Sequence, residues 1–411
     1  MTGAGLAPQR QVLSGITVLD LSRWASGEFA ARLFGDFGAD VIKVEKPAEG
    51  SLTRTWGPFP GDRPDPERSA LFLHLNVNKR SIELDLHDEA DRDVLLALVR
   101  RADVVVESFR PGHLERLRLG PAELHAVNPR LVLARITPFG QTGPYAGYEA
   151  SGLTLQAMGW PIHATGQADR PPLRKPGLLE QYTIGRTSAA GALAGLLSAR
   201  RTGTGAVLDL SGFEILLSGA DRRAAFLLAS SYSGANAPRG VQSPHRGGSA
   251  FTGKFEAADG HLQIYVTQKR FWLRLVALVA DGDQAFLERF ADSEPGGGSH
   301  AEEFAARLRA YVAARSKHEV MDRAQAMKIP VSAILDVSEV HALAHYRARG
   351  LFVRAEHPKA GPLEYVGQPW RMRGGYRLRR AAPTLGQHSA EIRDELAAAT
   401  VAAAATEEML T

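Results

Sequence analysis

The sequence predicts an α/β protein built on a parallel sheet, and three observations carry that prediction. Short β-branched runs alternate with helical stretches from the N-terminal region to Thr137. The run "DVIKVE" at Asp40–Glu45 is almost continuously apolar, as expected of a strand covered on both faces. A long Ala/Gly/Leu-rich helical segment is followed by one more strand-like run, "AVLDLS".

Ile16–Leu21 reads as the first strand, Gly27–Phe37 as a helix from the spacing of Phe29, Leu33 and Phe34, and Asp40–Glu45 as the second strand, which together make a βαβ opening. Further strands are expected at Ser81–Leu86, Asp103–Glu107 and Leu131–Thr137, with helices at Glu89–Arg101 and Pro121–Val127. Tyr182–Arg200 is helical by pattern, apolar nearly all round, and therefore expected to be buried. Ser, Gly, Pro and Asn are concentrated between Ser230 and Gly248, which marks a linker or a loop. Beyond it, "GKFEAADGHLQIYVT" predicts a hairpin turning at Asp259-Gly260, then helices from Phe271 and from Ala301, with an insertion at Glu294–Ser299. Strand-and-turn character returns from about Val340, and a helix over Ala390–Ala404 ends the pattern. Residues 1–218 are read as the first part of a large domain, 219–251 as a linker, 252–329 as a smaller α+β domain, and 330–411 as a return linker and the rest of the large domain.

Composition narrows the function. At roughly 100–200 residues per domain, 411 residues allow several domains and a sizeable core. No run approaches the ~18 consecutive apolar residues of a membrane span, and Met1–Gln11 has no apolar stretch to act as a secretory core, so the cytoplasm is the expected compartment. The absence of cysteine excludes thiolate nucleophiles, iron–sulfur clusters and sulfur-ligated zinc. Forty-nine basic residues against forty-five acidic ones give a net charge of only +4, with no concentrated basic stripe, which argues against nucleic acid as a partner. No G-x-G-x-x-G, Walker loop, H-E-x-x-H or G-x-S-x-G occurs. His341 and His345 stand at helical i,i+4 spacing with no acid on the same face, and no metal site is expected.

Three stretches are distinctive together: "LSGITVLDLSRWASGEFAARLFGDFGADVIKVEKP", the segment from "NVNKRSIELDL" through "ADVVVESFRPGHLERLRLG" to "ITPFGQTGPYAGYE", and "RRTGTGAVLDLSGFEILL". The chain resembles the family III CoA-transferases, the group that includes formyl-CoA transferase, carnitine CoA-transferase and α-methylacyl-CoA racemase. The resemblance continues through "FEAADGHLQIYV", "KIPVSAILDVSEV" and "APTLGQHSAEI". It implies a Rossmann-like large domain made from both chain ends, a small inserted domain, and two subunits threaded as interlocked rings, either a homodimer or a heterodimer with an active relative. It also implies a site for coenzyme A or an acyl-CoA. Trp24 and Ala25 would meet the thioester region and Lys46 the nucleotide. Asn78, Lys79 and Arg80 form the "NKRS" turn, Ser108, Phe109 and Arg116 would run beneath the adenine and phosphates, and Thr137 ends the next strand. Cations at strand ends suit a polyanionic nucleotide, and an aromatic face suits its base.

In the transferases of this group an Asp carboxylate attacks the thioester. Counting back from Thr202, with Gly185 and Gly191 on the family's glycine positions, places Gln181 at that point. An amide cannot do the carboxylate's work, because its nitrogen lone pair is delocalised and its oxygen forms no stable anhydride. Glu180 is the adjacent acid and would need a one-residue slip or a loop rearrangement to replace it. In the racemase branch the acid–base positions fall on Tyr148, Gln181 and Gln268, none of them the expected His, Asp or Glu. Glu149 is left as a lone general base or as an acid at a helix N-terminus. Three expectations therefore stand: an atypical CoA-transferase acting on an acid and a thioester, a catalytically silent acyl-CoA-binding subunit of a heteromeric enzyme, or an acyl-CoA isomerase or dehydratase on the same fold. "HRGGSAF", in the loop near Gly240–Gly248, is a candidate lid or an interdomain connector.

Overall fold

The computed structural model describes residues 10–159, 162–163, 165–166, 169–218, 223–234, 251–291, 293, 298–367 and 369–410. They fall into two units, Met1–Gly240 with Gly350–Thr411, and Val241–Arg349. The candidate lid and most of the Glu294–Ser299 insertion lie outside the described residues.

In the first unit the order is β1 (Thr17–Asp20), α1 (Ala25–Asp36), β2 (Asp40–Glu45), α2 (Ala70–Leu75), β3 (Lys79–Glu83), α3 (Glu89–Val99), β4 (Val104–Glu107), α4 (His113–Arg116), α5 (Pro121–Val127), β5 (Val132–Thr137), α6 (Gly152–Met158), α7 (Leu179–Thr202), β6 (Ala206–Ser211), α8 (Gly212–Ser218) and α9 (Arg223–Ser233). The last of these is a helix within the segment read as a linker. Its run "AAFLLA" has the helix-forming content that the Gly/Pro-rich residues after it lack. β3 begins two residues earlier than its apolar pattern indicates, because Lys79 and Arg80 are strand residues with internal partners.

The six strands pair in parallel in the order β3-β2-β1-β4-β5-β6. Alternation along each strand feeds two cores. Val18, Val41, Val104, Val106 and Val132 pack with Phe34 of α1 and Ile184 and Leu196 of α7. Leu19, Ile42, Ile82, Val105 and Leu133 face the opposite side, toward Leu95, Leu98 and Leu124. Strand order reverses between β1 and β4, and in such sheets ligands settle at the carboxyl ends of the strands beside this reversal.

α7 departs from the expectation of burial all round. One stripe, including Ile184, Ser188, Ala192 and Leu196, is buried, whereas Leu193 and Leu197 are exposed on the single chain. Its small residues instead allow close approach to α1: a Cβ on Gly185 would lie 2.5 Å from the Ser26 carbonyl oxygen.

The carboxyl ends of β1 and β2, the start of β3 and the first turn of α1 share a layer of buried ions. Lys79 Nζ donates to Asp20 Oδ2 (2.7 Å), Asn76 Oδ1 (2.8 Å) and the Glu28 carbonyl oxygen (2.8 Å). Lys43 Nζ lies 3.1 Å from Glu28 Oε1 and 3.6 Å from Asp20 Oδ2. Arg54 donates twice to Glu45, at 2.8 and 2.9 Å. Burial works to raise the Asp20 carboxyl, but Lys43 and Lys79 outweigh it and hold the group below its ordinary range. Burial likewise works to lower Lys43, and Asp20, Glu28 and Glu45 together hold it above.

The second unit contains β7 (Gly253–Ala257), β8 (Gly260–Ile264), α10 (Lys269–Ala280), α11 (Gln284–Phe290), α12 (Ala301–Ala313), α13 (Lys317–Ala326), β9 (Val331–Ala333), α14 (Val337–Ala342) and α15 (Ala344–Ala348). β7, β8 and β9 form an antiparallel sheet, and the residues left between the paired Ala257 and Gly260 are Ala258 and Asp259. Its core is aromatic, with Phe251, Trp272, Phe290 and Phe304 in mutual contact. His341 and His345 sit on two different helices, since the chain breaks at Leu343, so they do not share one helical face.

The chain then returns to the first unit as the hairpin β10 (Phe352–His357) and β11 (Gly361–Val366), followed by α16 (Ser389–Leu410). The segment before α16 covers the open edge of β3: His388 N donates to the Ser81 carbonyl oxygen (2.9 Å) and Ser81 N to His388 Nδ1 (3.2 Å).

Two stability experiments follow. Lys79→Met removes the cation closest to Asp20 Oδ2 and the donor to Asn76 Oδ1, and a loss of about 3–5 kcal/mol is expected, read as a lower urea midpoint at unchanged slope. A loss below ~1 kcal/mol would show that the ion layer is not what holds β3. His74 is pushed down to about 3 from an ordinary 6.5 by burial and then by the Arg32 guanidinium. The unfolded chain therefore binds a proton that the folded chain refuses, so stability is complete above about pH 6.5 and falls as the pH drops toward about 3. His74→Gln should flatten the change in urea midpoint between pH ~7 and ~5. An unchanged slope would remove His74 from the acid response.

Candidate functional site

Two cavities open at the carboxyl ends of the parallel strands, both within the first unit. The larger, about 310 Å³, is walled by Trp24 after β1, Ser108–Pro111 after β4, Thr137 and Pro138 after β5, the loop 146–152, and Gln181 and Ile184 of α7. The smaller, about 150 Å³, is bordered by Arg23, Glu45, Lys46, Ser51, His87 and His113. Phe109 lines both cavities.

Local chemistry fixes these walls. The Phe109 backbone N–H donates to Glu107 Oε2 at 2.6 Å, and its ring stacks on His113 with centroids 4.7 Å apart. Ser108 Oγ accepts from the Arg23 N–H at 2.9 Å, which ties the loop after β4 to the loop after β1 across the strand-order reversal. Trp24 is partly exposed and meets the Trp56 ring edge-on at 5.7 Å. Ala25 is buried in the first turn of α1, between Trp24 and Ser26 of the cavity wall. The buried Thr137 Oγ1 has no hydrogen-bond partner among the described residues.

Cations gather around both openings. Arg116 borders the larger cavity, and Arg23 and Lys46 border the smaller. Lys46 pairs with Glu49, and Arg110 with Glu149 at 2.7 Å. Burial, then Arg116, His87 and Arg23, lower the pKa of His113. The surroundings suit an anionic ligand with one flat aromatic face.

Three predicted ligand cations or polar groups are placed elsewhere. Asn78 is buried, donates to Asp36 Oδ1 (2.9 Å), and its Oδ1 accepts from Arg379 N (2.7 Å). Lys79 belongs to the interior ion layer, and Arg80 pairs with Asp40, Glu391 and Glu395. Each already has internal partners, so their side chains hold the fold together at positions where the resemblance implied ligand contact.

The acids also separate. Gln181 borders the larger cavity, and its side chain makes no hydrogen bond to another described residue. Glu180 is not part of that wall. It is buried beneath α6, where Oε2 accepts from Gln156 Nε2 at 2.8 Å, and a Cβ on Gly152 would overlap Oε1. From this position Glu180 would need the slip or loop rearrangement anticipated from the sequence before its carboxylate could reach the cavity. Glu149 and Tyr148 border the cavity and are exposed, Tyr148 leaning on Tyr145 with centroids 4.8 Å apart. Gln268 precedes α10 in the second unit.

The model of CoA-transferase family III matches residues 13–389. The chain belongs to this family. The acetyl-CoA:oxalate CoA-transferase of Acetobacter aceti is 33% identical to it over 402 residues, covering 97% of this chain and 99% of that protein. The succinate–glutarate CoA-transferase of Agrobacterium fabrum is 31% identical, covering 93% of this chain and 95% of its own length. Among solved structures, a CAIB/BAIF family protein from Brucella suis superposes with a TM-score of 0.82 at 29% identity, covering 94% of this chain and 100% of that one. The family III assignment and the doubly wound sheet thus agree with the resemblance carried by the sequence.

The cavity-bordering residues that the sequence did not single out are Arg23, Arg110, His87, His113 and Gly152, together with Gln156, which partners Glu180 behind the wall. Arg23 and Arg110 each directly adjoin a residue already singled out, Trp24 and Phe109. Gln156 has no such signal, because its partner Glu180 is 24 residues away. Among the described residues no group of three or more His, Asp or Glu is arranged to hold a metal ion, and no helix is long and apolar enough to cross a membrane.

Thr137→Val should leave the melting temperature unchanged or slightly higher, since it removes a buried hydroxyl that has no internal partner at nearly constant shape. A clear fall in melting temperature would show that the hydroxyl is bonded within the protein.

Proposed function

We propose that this chain binds an acyl-CoA thioester, with the acyl end in the larger cavity and the nucleotide along the cationic border of the smaller one, in the service of CoA transfer between carboxylic acids. Membership of the family supports the reaction class, and relatives are named for transfer involving oxalate, succinate and glutarate. The fit of the ligand rests on Phe109 shared by two adjoining cavities, on Arg23, Lys46 and Arg116 around them, and on the unpartnered Thr137 hydroxyl in the wall.

The observation that carries the finer reading is the pair Glu180 and Gln181. In the covalent route a carboxylate oxygen attacks the thioester carbonyl carbon, the C–S bond breaks, CoA leaves as thiolate, and a mixed anhydride remains. At position 181 this cavity presents an amide, which cannot form that anhydride, and Glu180 is buried with Gln156 as its partner. Glu149 is the carboxylate within the wall, but it is solvent-exposed and paired with Arg110. This arrangement favours a thioester-binding chain that turns over slowly alone and gains a carboxylate from an active relative. The exposed apolar residues Leu193 and Leu197 on α7, and Leu228 and Tyr232 on α9, support a second chain packing on these helices, whether as a homodimer or as a heterodimer of interlocked rings.

The test is CoA exchange from acetyl-CoA to a panel of dicarboxylic acids, measured for the wild-type chain and for Gln181→Asp. The substitution should raise turnover by about tenfold or more and yield a mass-detectable adduct on residue 181. A folded Gln181→Asp chain that binds CoA but stays inert would count against position 181 as the reaction centre. Rapid exchange by the wild-type chain alone would remove the need for a partner.

A further inference from the structure

We propose that Glu180 is a positioning residue for the acyl end of the thioester, acting through α6 rather than touching substrate. The inference rests on the acyl-CoA reading of the larger cavity. Glu180 and Gln156 are each more than nine-tenths buried, and the Gln156 side chain bridges two separate segments. Its Nε2 donates to Glu180 Oε2 at 2.8 Å, and its Oε1 accepts from the Lys175 backbone N–H at 3.0 Å. The bridge thus joins α6, the irregular segment at Lys175 and the first turn of α7.

On the other side of the carboxylate lies Gly152, whose Cα has no room for a methyl group against Glu180 Oε1. Gly152 is also part of the cavity wall, as are Leu155 and Gln181. One buried carboxylate therefore sets the distance between the loop that ends at Gly152 and the turn that carries Gln181. Both border the larger cavity, and neither borders the smaller one. The predicted consequence is selective: disturbing Glu180 changes recognition of the acyl group and leaves recognition of the nucleotide intact. The role needs a hydrogen-bond acceptor of the right length, and an amide oxygen supplies that as well as a carboxylate does.

Isothermal titration of the full chain with CoA and, separately, with acetyl-CoA tests this. Glu180→Ala should weaken acetyl-CoA by about tenfold while CoA changes by less than about twofold, and Glu180→Gln should restore acetyl-CoA affinity to within about twofold of wild type. Gly152→Ala, which displaces the same carboxylate from the opposite side, should reproduce the selective loss and serves where Glu180→Ala does not fold. The proposal is overturned if Glu180→Gln is as damaging as Glu180→Ala, which would make the charge itself the active element. It is equally overturned if Gly152→Ala binds acetyl-CoA as wild type does, or if both ligands weaken together in the variants. Failure of the wild-type chain to bind either ligand would instead overturn the cavity assignment beneath it.

Discussion

The mutual neutralisation of ions inside the sheet is the constraint on which the rest of the structure depends. Asp20, Glu28 and Glu45 are buried against Lys43, Lys79 and Arg54, so three negative charges face three positive ones with almost no water. Isolated charges at such depth would cost several kcal/mol each, and they are tolerable only as a complete, hydrogen-bonded set. Ser51 and Thr53 both donate to Glu28, and Ser81 to Glu45; Ser51 and Ser81 share an oxygen with a cation, and Thr53 takes the Glu28 oxygen that Lys43 does not. An apolar cluster of equal volume would pack as well, but it would not fix which strand sits at which height, because apolar contacts carry no direction. The ion layer does, and it aligns the carboxyl ends of β1 and β2 with the start of β3 and the first turn of α1.

That alignment is what creates the cavities. The loop after β1 leaves the sheet at Ser22, whose hydroxyl and N–H both bond to the buried Asp20 carboxylate, and Arg23 and Trp24 project from it immediately afterwards. On the other side of the strand-order reversal, Glu107 holds the Phe109 N–H and accepts from Arg135 at 2.8 Å. Burial alone would raise the Glu107 carboxyl and does so on balance, with Arg135 and the Phe109 N–H acting against it. A buried acid at the end of β1 and another at the end of β4 thus each orient a short loop through backbone N–H groups. Trp24 and Phe109, which border the larger cavity, are carried by loops held in this way.

The sheet was legible in the sequence because its central strands are covered on both faces and carry runs of Val, Ile and Leu, as in β2, β4 and β5. Val104, Val105 and Val106 point to alternate cores, and three consecutive β-branched residues in a short run favour a strand. Several side chains that border the cavities were legible too, since residues directly after strand ends in such a sheet face its ligand crevice whatever their identity. What the sequence concealed were charges with interior partners. Lys79 and Arg80 look like exposed cations at a strand end, and only the fold reveals Asp20 59 residues away and Glu391 311 residues away. The same blindness applied to α7, whose Ala, Gly and Leu content is compatible both with burial on every side and with one buried stripe beside an exposed one.

The contrast between Glu180 and Gln181 shows how far adjacency in sequence can mislead about chemistry. Both lie in the first turn of α7, and successive residues of an α-helix point about 100° apart. A helix wedged between α1 and α6 therefore cannot offer both side chains to one cavity. If residue 181 faces the larger cavity, residue 180 must face a neighbouring element, and here that element is α6. Exchanging the two would require rotating α7 by most of a third of a turn, which would drive Gly185 off the Ser26 carbonyl and bring larger side chains against α1. The close α1–α7 contact made possible by glycine thus forbids the register slip that a substitute nucleophile would need. The same packing that assembles the cavity determines that it presents an amide at position 181.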